Sequence, residues 1–242
     1  MKQFENKYAV ITGAGSGISR ETASVLAERG AQGIILADLN LENANNAARE
    51  ISTTTGCNCI PFKIDVSNPS EIESLFAFVG EKFGRVDILV NGAGIAPYLT
   101  IEEVDVDAWD KCININLRGT YLCAREAFFY MKAQKYGKII NVSSIAARIG
   151  GIASGINYVA SKGGVVSLTY SLAKIGAKYN INANGVAPGV IATPLTASHN
   201  YSPDTIIGQP RDVATVIAFL ASEDAKHING CTLEVNGGAY MH

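Results

Sequence analysis

Histidine is scarce in this chain. Three occur among 242 residues, none beside an acidic cluster, so no ligand set for a catalytic metal is expected. Cysteine is used sparingly. Cys57, Cys59, Cys112, Cys123 and Cys231 are odd in number and irregularly spaced, which excludes a disulfide framework and fits reduced thiols. Net charge is nearly absent. Twenty basic side chains against 22 acidic ones leave −2, which gives no electrostatic footprint for nucleic acid or an anionic membrane. Long apolar runs are missing too. None nears the about 18 residues that a bilayer span needs. The polar start runs through Val10 and Ile11 straight into glycine, with no secretory h-region. A cytoplasmic protein is expected, with neither membrane nor nucleic acid as partner.

What the chain does have is apolar substance: 48% hydrophobic against 17% charged residues, enough for a large core without staples. Short β-branched runs fall at 8–12, 33–37, 60–64, 87–91, 137–142, 181–186 and 232–235. Helical patterns fall between them at 20–29, 41–53, 70–83, 108–134, 156–178 and 211–221. The strand runs are continuously apolar, as in strands buried on both faces. Alternation of this kind predicts an α/β fold with a doubly wound parallel sheet and helices on both faces. No linker or repeat divides the chain, so residues 1–242 are expected to form a single domain. The least regular stretch, 194–210, is read as a short loop over a pocket.

The first strand runs into Thr12-Gly13-Ala14-Gly15-Ser16-Gly17-Ile18-Ser19, and a helix follows. Glycines there let the backbone turn sharply and approach a ligand closely. The free N–H groups of the helix start then face a pyrophosphate. Between strand and helix, the segment reads as the phosphate turn of a Rossmann-type unit. Asp38 ends the second strand, about 20 residues later, where an acid bonds the adenosine 2′-hydroxyl. Its neighbours Leu39 and Asn40, and Ser16 in the turn, supply no cation for a 2′-phosphate. NAD is expected over NADP. The alternative is that Asp38 caps the helix that starts near Leu41.

Tyr158 and Lys162 lie four apart at the start of a helical pattern, which sets both on one helical face. A free tyrosine, with a pKa of about 10, is a poor base at neutral pH. An ammonium about 5 Å away would supply roughly 3 kcal/mol and lower that pKa by about 2. Such a tyrosine could exchange a proton with an alcohol or carbonyl. By itself the pair reads as an ordinary surface pair.

In order along the chain stand the Thr12–Ile18 segment, Asp38, Asp65-Val66, Asn91-Gly92-Ala93-Gly94, Asn116, Ser144, Tyr158 with Lys162, and Pro188-Gly189 with Thr193. With these the sequence resembles the short-chain dehydrogenase/reductase family, in its compact form, from Lys7 to Gly238. The resemblance implies an oxidoreductase with Tyr158 as acid/base and Lys162 also holding the nicotinamide ribose. It implies that Ser144 polarises the substrate oxygen, with Ser143 as a local rival, and that Asn116 holds a water linking Lys162 to solvent. Gly13, Ser16, Gly17, Ile18 and Ala93 would line the cofactor, Asp65 and Val66 would contact adenine, and Asn91 would stabilise the sheet beside the ribose. Pro188, Ile191 and Thr193 would hold the carboxamide end. A homotetramer built on the long helices is implied, with Leu122, Phe128 and Phe129 as candidate contacts.

Three departures stand out. Ser19 replaces the family's last loop glycine, with at most a modest loss of cofactor affinity expected. One extra residue lies near Gly150-Gly151. The 194–210 loop is shorter than the family's substrate loop, so the pocket is open or completed by a neighbouring subunit. The candidate pocket wall is 95–99, 145–148, 152–156 and 194–210, with Arg148 as either a handle for an acid or a solvated charge. His199 and Tyr201 are candidate substrate contacts, and Trp109 is a packing anchor. The leading expectation is hydride transfer between NAD(H) and a secondary alcohol or ketone. A 3-oxoacyl-acyl-carrier-protein reductase is the alternative, suggested by the closing Val235-Asn236-Gly237-Gly238. A non-catalytic nucleotide-binding scaffold is a third reading.

Overall fold

A computed structural model describes residues 2–151, 155–197 and 201–241. The chain runs β1 (Tyr8–Thr12), α1 (Gly17–Glu28), β2 (Gly33–Asp38), α2 (Leu41–Thr55), β3 (Asn58–Lys63), α3 (Pro69–Phe83) and β4 (Ile88–Asn91). Then come α4 (Val106–Ile113), α5 (Gly119–Gln134), β5 (Gly137–Val142), α6 (Ala146–Ile149) and α7 (Ile156–Gly176). The last elements are β6 (Ile181–Pro188), β7 (Val190–Ile191), β8 (Ile207–Gly208), α8 (Pro210–Ala221) and β9 (Thr232–Val235). Seven strands form one sheet in the order β3-β2-β1-β4-β5-β6-β9, and every pairing is parallel. The expected single-domain, doubly wound α/β fold is the fold observed.

The apolar strands feed two cores. Ala9, Ile11, Ile34, Leu36, Ile88 and Val90 face α1, α2 and α8. Their neighbours Val10, Ile35, Ala37 and Leu89 face α3, α5 and α7. Successive strand residues point to opposite faces, so a strand covered on both sides must be apolar throughout.

Two features were not legible in the helical pattern at 108–134. The helix is broken by a π turn at Asn114–Arg118, where Asn114 and Asn116 are weak helix formers. Such turns often mark functional sites. Leu122 and Phe128 are partly buried and pack against the core, and Phe128 stacks edge-on against Tyr179 at 5.9 Å. Only Phe129 of that expected trio is exposed. Sequence reading also missed the two-residue ribbon of β7 and β8, which ties the start of the 194–210 loop to its end.

Candidate active site

Strand order reverses between β1 and β4, and ligands of such sheets bind outside the carboxyl ends of the strands at that point. A cleft of about 510 Å³ lies there. Its walls include Gly13, Ser16, Gly17, Ile18, Asp38, Asp65, Val66, Ala93, Ser144, Tyr158, Lys162, Pro188, Ile191 and Thr193. Every cofactor residue named from the sequence is therefore in the cleft wall except Asn91.

At one end, Thr12 fastens the two halves of the switch point. Its hydroxyl accepts from the N–H groups of Gly92 and Ala93, each at 3.2 Å. Gly13 has φ +69°, and a Cβ on it would stand 2.9 Å from the Ala93 backbone. Only glycine fits so close an approach in that conformation. Ser16 makes no side-chain capping bond, and the first turn of α1 carries no carboxylate. Nothing acidic there competes with an anion at the helix start.

Asp38 is fixed by two backbone donors, the N–H of Gly15 and that of Asn40, both at 2.8 Å. It does not cap α2. That task falls to Asn40, which accepts from the N–H of Asn43 at 3.1 Å. Asp65 is held likewise, accepting from the N–H and hydroxyl of Ser67 at 2.8 and 2.7 Å. A Cβ on Gly92 would collide with the Ser19 hydroxyl. The family's missing glycine is thus offset by the glycine facing it, and Ser19 is buried.

Asn91 departs from expectation. Its amide donates to Asn141 Oδ1 at 2.9 Å, bracing β4 against β5, and its own Oδ1 is buried without a partner. It serves the sheet, as expected, and is absent from the cleft wall.

At the other end, α7 presents Tyr158 and Lys162 to the cleft, and both are buried. Lys162 Nζ lies 5.7 Å from the centre of the Tyr158 ring and donates to the Val142 carbonyl at 2.8 Å. Burial pulls the Lys162 ammonium down to about 8. The expected lowering of the phenol is not found. Burial pushes Tyr158 above its ordinary value, the hydrogen bond with Ser144 draws it back, and Cys112 and Tyr201 push it up further. Loss of solvation is the largest of these influences, and it favours the neutral phenol.

The two serines separate cleanly. Ser143 donates its hydroxyl to the Lys162 carbonyl at 2.9 Å, while Ser144 accepts from the N–H of Ala146 at 3.1 Å and meets the phenol. Asn116 is fully buried behind the cleft wall. Its Oδ1 accepts from the N–H of Ile95, and its amide donates to the Ile95 carbonyl, both at 2.9 Å. A Cβ on Gly94 would sit 3.1 Å from Asn116 Oδ1 and 3.5 Å from Lys162 Nζ. The absence of that carbon leaves a gap that the two groups share.

Behind Tyr158 and Lys162 runs a polar seam that sequence reading did not see. Asn157 donates to the Ala108 carbonyl at 3.0 Å and accepts from the N–H of Tyr158 at 2.9 Å. Asn116 donates to Ser161 at 3.0 Å, and the Cys112 thiol lies 3.9 Å from the same hydroxyl. Residues 108, 112 and 116 thus face 157 and 161, at helical spacings on both sides.

Of the expected pocket wall, Ile95 and the segment Pro194, Leu195 and Thr196 line the cleft. The Thr196 hydroxyl donates to the Ile191 carbonyl and accepts from the N–H of Thr193 at 3.2 Å, so it shapes the end expected to take the carboxamide. Arg148 is neither handle nor solvated charge. It pairs with Glu234 of β9 at 2.9 Å. Tyr201 is near enough to influence Tyr158. His199 and residues 152–154 lie outside the described residues. Trp109 is half-exposed on α4 and outside the cleft wall. Among the described residues no cluster of His, Cys, Asp or Glu is arranged to hold a metal. All five cysteines are free thiols, and among the described residues no helix is long and apolar enough to cross a membrane.

Residues 7–203 match the sequence model of the short chain dehydrogenase family. The 3-oxoacyl-[acyl-carrier-protein] reductase FabG of Thermotoga maritima is 36% identical over 98% of both chains. The cis-4-hydroxycyclohexanecarboxylate dehydrogenase of Sinomonas cyclohexanicum is 39% identical over 97% of both. The crystal structure of levodione reductase superposes with a TM-score of 0.91 at 32% identity, covering 98% of this chain and all of that one.

Proposed function

The chain belongs to the short-chain dehydrogenase family, and from that premise we propose that it transfers a hydride between NAD(H) and an uncharged secondary alcohol or ketone. One observation carries the reading. Tyr158, Ser144 and Lys162 share one wall of the cleft whose far end holds the uncapped start of α1 and Asp38.

The residues fit a dinucleotide. Gly13, Ser16, Gly17 and Ile18 would hold the pyrophosphate, Asp38 the adenosine ribose, and Asp65 and Val66 the adenine. Ala93 would pack along it, and Pro188, Ile191 and Thr193 would meet the nicotinamide end. When bound, the nicotinamide supplies or accepts the hydride. In the reducing direction the Tyr158 phenol donates its proton to the substrate oxygen, which the Ser144 hydroxyl holds in place. Lys162 keeps a positive charge beside the phenol. A water in the gap over Gly94, between Asn116 and Lys162, would return the proton from solvent.

The substrate charge follows from the cleft. Among the described residues Lys162 is the one cation lining the cleft, and its ammonium already donates to Val142. With Arg148 bound to Glu234, no free cation among the described residues faces an acidic substrate. A homotetramer working in the cytoplasm is the accompanying proposal, with exposed Tyr121 and Phe129 on α5 and Tyr170 and Ile175 on α7 as its contacts.

The test is a panel of neutral secondary alcohols and ketones with NAD+ and NADH. Turnover on several members is expected. Turnover on 3-oxoacyl thioesters alone would replace this reading with the reductase one, which the identity to the Thermotoga protein favours. Silence on both panels would favour a nucleotide-binding scaffold.

A further inference from the structure

The adenosine end of the cleft holds a cation that sequence adjacency concealed. In the parallel register of β2 and β3, Lys63 is the direct partner of Asp38. Registered residues on neighbouring parallel strands lie about 4.8 Å apart, with side chains on the same face. The two line a shallow depression together with Leu39, Asn40 and Leu41. Asp38 and Leu39 also line the main cleft, so the depression opens from its adenosine end.

The state of the two charges differs. Both Asp38 oxygens accept backbone N–H bonds, which fixes the carboxylate. Lys63 is exposed, and among the described residues no carboxylate lies within ion-pairing distance of it. The other cation that α1 carries near this end, Arg20, is committed to Glu50. Lys63 is thus a long, uncommitted side chain on the rim where a ribose 2′ substituent would project, if Asp38 takes the ribose.

We propose that Lys63 makes this rim an anion-tolerant subsite, so that the chain binds NADP(H) as well as NAD(H), and that Asp38 and Lys63 together set the ratio. The proposal rests on the dinucleotide reading above. The Asp38 carboxylate disfavours a 2′-phosphate, and the Lys63 ammonium, free to swing over it, offsets part of that repulsion. An exposed contact of this kind weakens with salt.

The full-length chain is titrated with NADH and with NADPH, without substrate, by calorimetry or nicotinamide fluorescence. Both nucleotides are expected to bind, with the NADPH affinity falling more steeply with salt. Lys63→Gln should weaken NADPH about fivefold and leave NADH within about twofold, as an exposed charge pair implies. Lys63→Arg should keep NADPH binding. An unchanged NADPH affinity in Lys63→Gln, or an equal loss for both nucleotides, would overturn the proposal. Binding of NADH with no measurable NADPH binding would overturn it as well and leave the dinucleotide reading standing. Binding of neither nucleotide to the parent chain would sink both.

Discussion

Tyr158 is a phenol held protonated by its surroundings, so it is an acid before it is a base. Its pKa lies above the ordinary value, and Lys162 keeps its charge only below about 8. Ketone reduction needs both protonated. Its kcat/KM is expected to be flat through neutral pH and to fall as pH rises past about 8, while alcohol oxidation, which needs a proton acceptor, should climb over the same range. A pH-rate series in both directions checks this, and a reduction rate that rises across that range would refute the assignment. Tyr158→Phe should remove turnover while nucleotide titrations stay within about twofold, since the lost hydroxyl is needed for proton transfer rather than for binding. Asp38→Ala should narrow the preference for NADH over NADPH, and an unchanged ratio would reduce Asp38 to a loop anchor. At this scale the sequence disclosed which residues gather but not their electrostatics. A spacing of four predicts proximity of Tyr158 and Lys162, whereas the sign of the shift depends on burial that no local pattern reveals. Lys63 escaped notice for a related reason, because its nearness to Asp38 comes from strand register rather than chain distance.

Elements carry the site through the seam between α4 and α7. Asn157 closes that seam at the mouth of the helix bearing Tyr158. Asn157→Ala would remove the side-chain donor to the Ala108 carbonyl, at a cost of about 0.5–1.5 kcal/mol. The expected result is a lower melting temperature together with a fall in kcat that exceeds any change in KM, because the tyrosine is tilted rather than removed. A loss confined to KM would show that the seam has no bearing on its aim. Gly13→Ala forces a side chain into a left-handed conformation, about 1–2 kcal/mol uphill, and against the Ala93 backbone. Dinucleotide affinity should drop with stability. The strands were readable because a sheet covered on both faces demands unbroken apolar runs. The π turn was not, since an apolar stripe continues through it at 108–134 and the wider turn leaves no mark on periodicity. The β7–β8 ribbon was equally hidden, since two residues on each side are too few to show alternation.

For the molecule as a whole, the exposed aromatic positions Tyr121 and Phe129 on α5 have no partner in a single chain's core, and large exposed apolar groups of this kind mark association surfaces. Phe129→Glu should yield a smaller species by light scattering with an unaltered circular dichroism spectrum. A parent protein that is already monomeric would contradict the tetramer. The pairing of Arg148 also has a timing. Arg148 stands four residues after Ser144, and its carboxylate partner, Glu234, arrives 86 residues later on the last strand of the sheet. Contacts of such long sequence separation form late. Until β9 docks, the Arg148 guanidinium lacks its carboxylate partner. If the substrate is uncharged, as proposed, the last step of folding removes the one competing guanidinium, and a chain clipped before Thr232 is expected to bind small anions more tightly than the full-length chain.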